Sequence, residues 1–341
     1  MVTHLAPAQT IEDSEAWDAL VLHFGGRLLQ SWRWGEFKRR HGWKPYRIIV
    51  RIGGATGLAQ ILVRRVYGLS VLYIPRGPLA DAVSPELAVA FREAVDRLAH
   101  ATRAISILAE PEDERGLTLL PEHLGWRPSP FVIQPRRTLR LPLGDDDQLL
   151  NQMKPKTRYN VRLAFRRGVT TRQASLAELP TFYELLRETA ERDGFGIHRI
   201  DYFSDLLRVF NEDAALLFAE FEGQPAAAAL VVRFGEEAVY LYGASRTELQ
   251  RHMPAYAVQW AAMQWARARG CRWYDLWGIP ESNELPPDTD ENHLNVRFGL
   301  WGVYRFKLGF GGHPYTYPGT WELVRQPLLV WLWRRLRPLG G

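Results

Sequence analysis

Ala238-Val-Tyr-Leu-Tyr-Gly-Ala-Ser245 begins the stretch that decides the fold, which runs on through Pro254, Ala257, Trp260, Ala261 and Trp265 to Gly270 and Cys271-Arg-Trp-Tyr-Asp-Leu-Trp277. The first segment is rich in β-branched and aromatic residues and ends in turn formers, which predicts a strand. Pro254 suits a first helical turn, the apolar residues after it recur at helical spacing, and Gly270 suits the position just past a helix end. Residues 271–277 then return as a buried strand. An earlier segment has the same layout: Val71-Leu-Tyr-Ile-Pro-Arg-Gly-Pro78, a helical pattern over 85–101 carried by Leu87, Phe91, Val95 and Leu98, and Ala104-Ile-Ser-Ile-Leu-Ala109. The separation from Tyr73 to Ile107 equals that from Tyr240 to Tyr274, which argues for one supersecondary unit used twice.

Each half surrounds its unit in the same way. Residues 11–24 read as a helix closed by Gly25-Gly26, and 31–43 as a helix that starts at a Ser31 cap and carries Trp34, Phe37 and His41 on one face, with Lys38 beside them. Strands over 46–52 and 56–67 form a hairpin around Gly53-Gly54, and 214–221 with 225–234 repeat that logic around Glu222-Gly223. Strands rich in Arg and Pro are expected within 126–143, and helices over 148–168, 179–191 and 202–211. A hairpin feeding a helix-crossed pair of strands means a mixed α/β sheet, in the element order of an acyltransferase. Gly144-Asp-Asp-Asp147 is the charged break taken as the domain boundary. Residues 281–292 form a polar loop, and 301–312 a short helix or turn leading into a glycine-rich bend. Residues 326–337 read as an amphipathic helix with Trp331 and Trp333 beside Arg334, Arg335 and Arg337; it is too short to span a bilayer, and either lies on one or packs back onto the first domain.

A chain of 341 residues with 46% hydrophobic and 24% charged content has core enough for about two domains. The net charge of +5 and a pI near 9.3 favour an anionic partner. A single cysteine, Cys271, excludes an internal disulfide and any multi-cysteine metal centre, and suits a reducing compartment. The start Met1-Val-Thr-His-Leu-Ala-Pro7 lacks the pattern of a signal peptide, and no window approaches the roughly 20 apolar residues of a membrane span. A cytoplasmic monomer is expected, with peripheral contact at the inner face of the membrane through 326–341 left open.

The strongest local charge lies in 148–168, where Lys154, Lys156, Arg158, Arg162 and Arg166 gather. Arg158, Arg162 and Arg166 are four apart and form one stripe on a helix, with almost no acidic residue at the same spacing to neutralise them. The stripe is either a solvated face or a phosphate or nucleic-acid contact. No Gly-x-Gly-x-x-Gly follows a strand, and there is no Gly-Lys-Ser loop, no Gly-x-Ser-x-Gly elbow and no His-Glu-x-x-His. The nine histidines are scattered, so no metal is implied. Before Pro254, where an acetyl-CoA enzyme needs a glycine-rich turn to bind pyrophosphate, stands Arg246-Thr-Glu-Leu-Gln-Arg-His-Met253. The acyltransferase scaffold is expected without its CoA site.

Four segments in order, Met153-Lys-Pro-Lys-Thr-Arg-Tyr-Asn-Val-Arg-Leu-Ala-Phe-Arg-Arg-Gly-Val169, Tyr240-Leu-Tyr-Gly-Ala-Ser245, Tyr274-Asp-Leu-Trp-Gly-Ile279 and Val303-Tyr-Arg-Phe-Lys-Leu-Gly-Phe-Gly-Gly312, resemble the successive signatures of the Fem family. These are tRNA-dependent aminoacyl transferases that build the interpeptide bridge of peptidoglycan. Ser31 to Trp43 and Pro75-Arg-Gly-Pro78 add weaker matches. The resemblance implies two acetyltransferase-like domains with mixed sheets and no coiled-coil arm: 1–143 plus 318–341, and 144–317, the second holding most of the cleft. The donor implied is aminoacyl-tRNA, the acceptor an amine on the stem peptide of a peptidoglycan precursor, and no cofactor is needed. Lys307, expected in the glycine-rich bend, matches the family's catalytic lysine, and Tyr240 and Tyr242 match tyrosines around the substrate, here expected on opposite faces of their strand. Lys38 matches a lysine that holds the precursor's diphosphate. The family's Arg with a Tyr four positions on falls on His198 and Tyr202, with Arg199 adjacent, a departure that leaves the second phosphate ligand undetermined. Tyr73, Arg76, Arg305 and the acidic Asp81 complete the implied substrate set. Two other readings fit the same scaffold: transfer from another acyl donor, and a non-catalytic basic protein that binds RNA or a membrane surface.

Overall fold

Both strand, helix, strand units are present, and each is a parallel pair crossed by one helix. The structure, a computed structural model, describes residues 13–66, 68–82, 84–281 and 300–336. They divide into two compact units: residues up to Arg136 together with those from Tyr317, and Arg137–Thr316.

In the first unit, α1 (Ser14–His23) and α2 (Trp32–Arg39) precede the hairpin of β1 (Trp43–Ile52) and β2 (Ala55–Val66). The Ser31 hydroxyl caps α2 by accepting from the Trp34 N–H. The helix stops before the Trp43 expected of it, because Gly42 at φ 82° turns the chain and Trp43 already pairs with Arg64. Gly53 and Gly54, both at positive φ, make the two-residue hairpin loop. The chain continues as β3 (Leu69–Ile74), β4 (Leu79–Ala80), α3 (Pro85–Ala101) and β5 (Ala104–Ala109). α3 has Ser84 as its cap and Pro85 in its first turn, and buries Leu87, Phe91 and Val95 on the sheet. The short α4 (Glu114–Thr118) and β6 (Arg127–Pro128) follow.

The second unit starts with β7 (Arg137–Pro142), α5 (Asp146–Gln152) and α6 (Pro155–Arg166); one helix over 148–168 is thus two, broken at Pro155. β8 (Thr170–Gln173), α7 (Leu179–Asp193), α8 (Ile200–Phe210) and the antiparallel β9 (Ala214–Phe221) and β10 (Gln224–Phe234) come next. Then β11 (Glu237–Ser245), α9 (Pro254–Ala268) and β12 (Trp273–Ile279) form the second parallel unit, followed by α10 (Leu300–Gly309) and β13 (His313–Thr316). Among the described residues the longest helix of this unit has 15 residues, so no helical arm projects from it. Finally β14 (Trp321–Val324) and α11 (Pro327–Leu336) return to the first unit.

The two sheets have the same plan. Three antiparallel strands (β1-β2-β3; β9-β10-β11) are followed by a parallel partner (β5; β12) and then by one antiparallel strand (β14; β7). That strand lies far from its parallel partner in sequence in both cases, and each sheet continues past it, with β6 beyond β14 and β13 beyond β7. The unit boundary therefore lies before Arg137 and not at Gly144: residues 137–142 are a strand bonded to β12 and β13. Tyr317 joins the first unit through its N–H on the Arg136 carbonyl.

Leu323 of β14 is buried in the first unit's core with Trp126, whereas Val324 beside it is exposed. Leu323→Ala should therefore cost about 2–5 kcal/mol in a urea titration, and Val324→Ala well under half of that.

Candidate active site in the second unit

β11 and β12 pair only over 237–239 against 273–275. Beyond that point each strand stays bonded to its outer neighbour, β11 to β10 and β12 to β7, but not to the other, so the parallel pair parts at its carboxyl ends. Two irregularities produce the parting. In β11, Val231 faces Tyr240 while Leu230 faces Tyr242, so Leu241 is an extra residue. In β12 the register with β7 shifts between Asp275 and Gly278, and Trp277 takes φ 60°, a left-handed conformation unusual for a large side chain.

The β11 bulge decides where the tyrosines point. A regular strand has a period of two and would put residues 240 and 242 on one face. Because Leu241 is extra, they lie on opposite faces as expected, though the bulge and not strand alternation separates them. Tyr240 packs with the core beneath α9, beside Gln259 and Tyr274, whose hydroxyl donates to Gln259 Oε1 at 2.9 Å. Its own hydroxyl lies so close to Gly243 that a Cβ there would meet it at 1.5 Å. Tyr242 lies against α8, edge-on to Phe203 at 4.9 Å and hydrogen-bonded to Tyr202. Burial pushes both hydroxyls up to about 12, with Gln259 and Tyr202 respectively opposing the shift. Tyr202 is buried and stacks on His198 at 3.8 Å, so the histidine in the family's Arg position sets the ring of the tyrosine four residues on. Arg199 is exposed and pairs with Asp201.

The β12 irregularity holds the lysine. Consecutive carbonyls of a regular strand point to opposite edges, but with Trp277 in its left-handed conformation those of 277 and 278 both accept from Lys307 Nζ, at 3.4 and 2.7 Å. Asp275, almost fully buried, accepts from the Trp277 N–H at 2.7 Å and from the Thr138 hydroxyl, and its charge acts on Lys307. Burial lowers the Lys307 ammonium to about 8, with Asp275 pulling the other way. An ammonium has three donors, and the third has no partner among the described residues. Lys307 is in the last turn of α10 and not in the glycine-rich bend, which begins after it. The bend has another role: a Cβ on Gly311 or Gly312 would strike the backbone oxygen of Gln152 or Arg140, so these glycines let the end of α10 seat against α5 and β7. The Lys154 N–H donates to the Gly309 carbonyl at 2.9 Å, which fixes the start of α6 beside the helix that carries Lys307. Arg305, on the same helix, is exposed. Residues 282–299, where most of the acidic loop falls, lie outside the described residues.

Along α6, Lys154, Lys156, Arg162 and Arg166 are exposed, and none of them makes an ion pair among the described residues. Arg158 is turned partly inward onto the Leu150 carbonyl, and Arg166 lies over the exposed ring of Tyr159. Phe165 is exposed as well.

In the first unit the parallel pair does not part. The Glu110 N–H continues the ladder onto the Ile74 carbonyl, and its carboxylate gathers the Tyr73 hydroxyl, the Thr320 hydroxyl and the N–H groups of Ile133 and Gln134. Tyr73 is therefore turned into the interior and held there. Arg76, buried at φ 48°, stacks on Tyr317 and donates to the Pro135 carbonyl at 2.7 Å; with Glu110 it lines a cavity of about 210 Å³. The buried acid that closes the end of this parallel pair is thus Glu110. Asp81 is exposed and caps a turn, accepting from the N–H groups of Thr56 and Ala82, which removes it from the site. Lys38 sits over the rings of Trp34 and Phe37, each at 5.6 Å, and burial with the charge of Arg64 lowers it to about 8. Asp275, Glu110, Gln259 and Arg64 escaped the sequence reading; only Asp275, a charge inside an apolar strand, left a visible signal.

A parallel pair parted over a buried ammonium, on two mixed sheets of one plan, defines an enzyme of the acyltransferase type. The FemAB family matches residues 21–120, 127–224 and 220–337, and the chain belongs to that family. It is similar to the lipid II:glycine glycyltransferase of Staphylococcus aureus, with 29% identity over 405 aligned positions that take in 94% of each chain. The crystal structure of FemX superposes with a TM-score of 0.81 at 26% identity, covering 95% of this chain and 99% of that one. L-PGS from Bacillus licheniformis, at a TM-score of 0.54 and 15% identity over 95% of this chain and 96% of its own, shares the fold.

Gly243→Ala tests the packing at the parted strands. The methyl must displace the Tyr240 ring, so the variant should lose stability by about 1–3 kcal/mol in thermal unfolding, whereas Gly196→Ala, with open space around it and no left-handed φ, should lose less.

Proposed function

We propose that the protein moves an amino acid from aminoacyl-tRNA to an amine on the stem peptide of a peptidoglycan precursor, and that Lys307 stabilises the charge that develops. The observation that carries this reading is the Lys307 ammonium, desolvated and held by the Trp277 and Gly278 carbonyls beside Asp275, with one donor left over. An aminoacyl ester is already activated, so its aminolysis needs alignment and stabilisation of negative oxygen more than a strong base. As the amine attacks the ester carbonyl, the carbonyl oxygen gains charge; as the C–O bond breaks, that charge passes to the ribose oxygen of the tRNA, which takes up the proton released by the amine nitrogen. A buried ammonium acts on either oxygen more strongly than one in water, because the local dielectric is low. Tyr240 and Tyr242, neutral at physiological pH because burial raises both hydroxyls, serve as donors that orient the substrate. The relative that transfers glycine to lipid II supports a lipid-linked acceptor, and the exposed cations of α6, anchored beside the end of α10, suit the phosphates of the tRNA.

Incubation with a mixture of charged tRNAs and a precursor, read by product mass, tests the reaction directly; a precursor unchanged in mass overturns it. Lys307→Met should keep the fold and lower turnover by about two to three orders of magnitude, the range for loss of one oxyanion donor. The active form is the ammonium, so wild-type turnover should fall as pH rises through about 8, and that limb should be missing in Lys307→Met. Stability moves the other way. Between about 8 and the ordinary lysine range the unfolded chain binds more protons, so wild-type stability should rise with pH there, and more steeply than that of Lys307→Met. Replacing Arg158, Arg162 and Arg166 together by Gln should weaken tRNA binding and flatten its salt dependence without lowering the thermal midpoint; unaltered binding in a filter assay removes the stripe from the reading.

A further inference from the structure

α6 carries two aromatic residues on the side that meets water. The helix buries Thr157, Asn160, Val161 and Ala164, the last two in the core of the second unit, yet Tyr159 is 55% exposed and Phe165 41% exposed. At about 100° per residue, Tyr159, Arg162 and Arg166 fall on the side away from the buried residues, with Arg158 and Phe165 along its flank. Single exposed apolar residues are ordinary, but these two stand among cations that nothing neutralises. Residues 148–177 contain seven Lys or Arg and no Asp or Glu. Lys154, Lys156, Arg162 and Arg166 make no ion pair among the described residues, and Arg166 lies over the Tyr159 ring at 5.5 Å.

Cations repeated along a helix fit a polyanion, and aromatic rings set between them fit the faces of unpaired bases. A duplex hides those faces in its own stack, whereas a single strand offers them. A helix made for a lipid interface would instead show a stripe of aliphatic residues, and on α6 Val161 is buried and Leu163 half-buried. The placing of the helix points the same way. The Lys154 N–H donates to the Gly309 carbonyl, and a Cβ on Gly309 would meet Thr157 Oγ1 at 2.1 Å. The first turn of α6 therefore lies tight against the helix end that carries Lys307, two residues before Gly309. From that anchor α6 extends over 12 residues, about 18 Å, which is the reach of a few nucleotides.

We propose that α6 is a platform for an unpaired RNA strand, on which Tyr159 and Phe165 stack bases, Lys156, Arg162 and Arg166 meet the phosphates, and the acylated end of the strand leads to Lys307. The inference rests on the transferase reading for which RNA is held, but not for the contact itself. It divides the work of the helix in two: the cations supply affinity for any nucleic acid, and the rings select an unpaired end over a duplex. A base on Tyr159 also meets the Arg166 guanidinium, which adds to the stacking.

Fluorescence anisotropy of the full chain with a short single-stranded RNA, and with the same sequence in a blunt duplex, tests it. The wild type should prefer the single strand, and Y159A/F165A should bind that strand about tenfold more weakly or worse. Its affinity for the duplex and its salt dependence should stay nearly the same, since no phosphate contact is lost. R158Q/R162Q/R166Q should show the opposite pattern, a flatter salt dependence with both RNAs. Y159F/F165Y keeps both rings and should keep the single-strand affinity. 2-Aminopurine placed in the strand should lose fluorescence on the wild type and retain it on Y159A/F165A. Should Y159A/F165A be unstable, F165L serves, with a smaller loss in the same direction. Equal single-strand affinity of wild type and Y159A/F165A overturns the inference, as does an equal loss on the duplex or a wild type that binds neither RNA. Recruitment to phosphatidylglycerol vesicles that Y159A/F165A abolishes while its RNA binding is kept gives the face to a membrane and overturns it too. None of these measurements needs the transfer reaction, so failure here leaves the proposed function standing, and failure of that function leaves the strand contact measurable.

Discussion

The structure depends on how β11 and β12 come apart. A parallel pair bonded along its whole length would bury both strands and leave no place for chemistry, as β3 and β5 show in the first unit, where Glu110 closes the end of the ladder. In the second unit the ladder stops at Val239 and Asp275. The backbone groups freed at the parting must still find partners, since a buried unpaired carbonyl costs as much as a lost hydrogen bond. Lys307 meets that need for Trp277 and Gly278, and Asp275 meets it for the Trp277 N–H. The lysine is thus part of what holds the bulge open, and the bulge is what buries the lysine.

The two units therefore share a plan and differ in what they do with it. One interior acid, Glu110, takes up four donors and locks its strands, and Tyr73 is spent on that closure. The other, Asp275, takes two donors and leaves its charge to act on an ammonium. β14 and β7 each join the parallel pair of their sheet from far away in sequence, and β7 delivers Thr138 to Asp275 in doing so. A division at Gly144 would have severed that contact.

Much of this was legible in the residues. The repeat, both hairpins, the mixed sheets and the helical pattern of α3 over 85–101 follow from periodicity and spacing, because each is set by neighbours in the chain. What stayed hidden is set by partners far away in sequence. The bulge at Leu241 appears only when β10 is laid beside β11, and without it the period of two places Tyr240 and Tyr242 on the same face. Glu110 lay one residue past a well-read strand, but its donors come from 73, 133, 134 and 320, and nothing local marks it as their common acceptor. Asp81 looked equivalent from sequence, yet a turn claims its carboxylate.

The shift of Lys307 also bears on why an ammonium and not a stronger acid would suit the proposed transfer. Burial favours the neutral amine and lowers the group to about 8, and Asp275 opposes that shift. In the transfer proposed above, such a group is mostly protonated at the outset, passes its proton to the departing oxygen at little cost and regains one from the amine nitrogen as the amide forms. A fully solvated lysine would hold its proton too tightly and act through too high a dielectric. An arginine in the same place would keep the charge but could not give up its proton. The geometry of the bulge and the choice of lysine are thus one requirement seen from the backbone and from the chemistry.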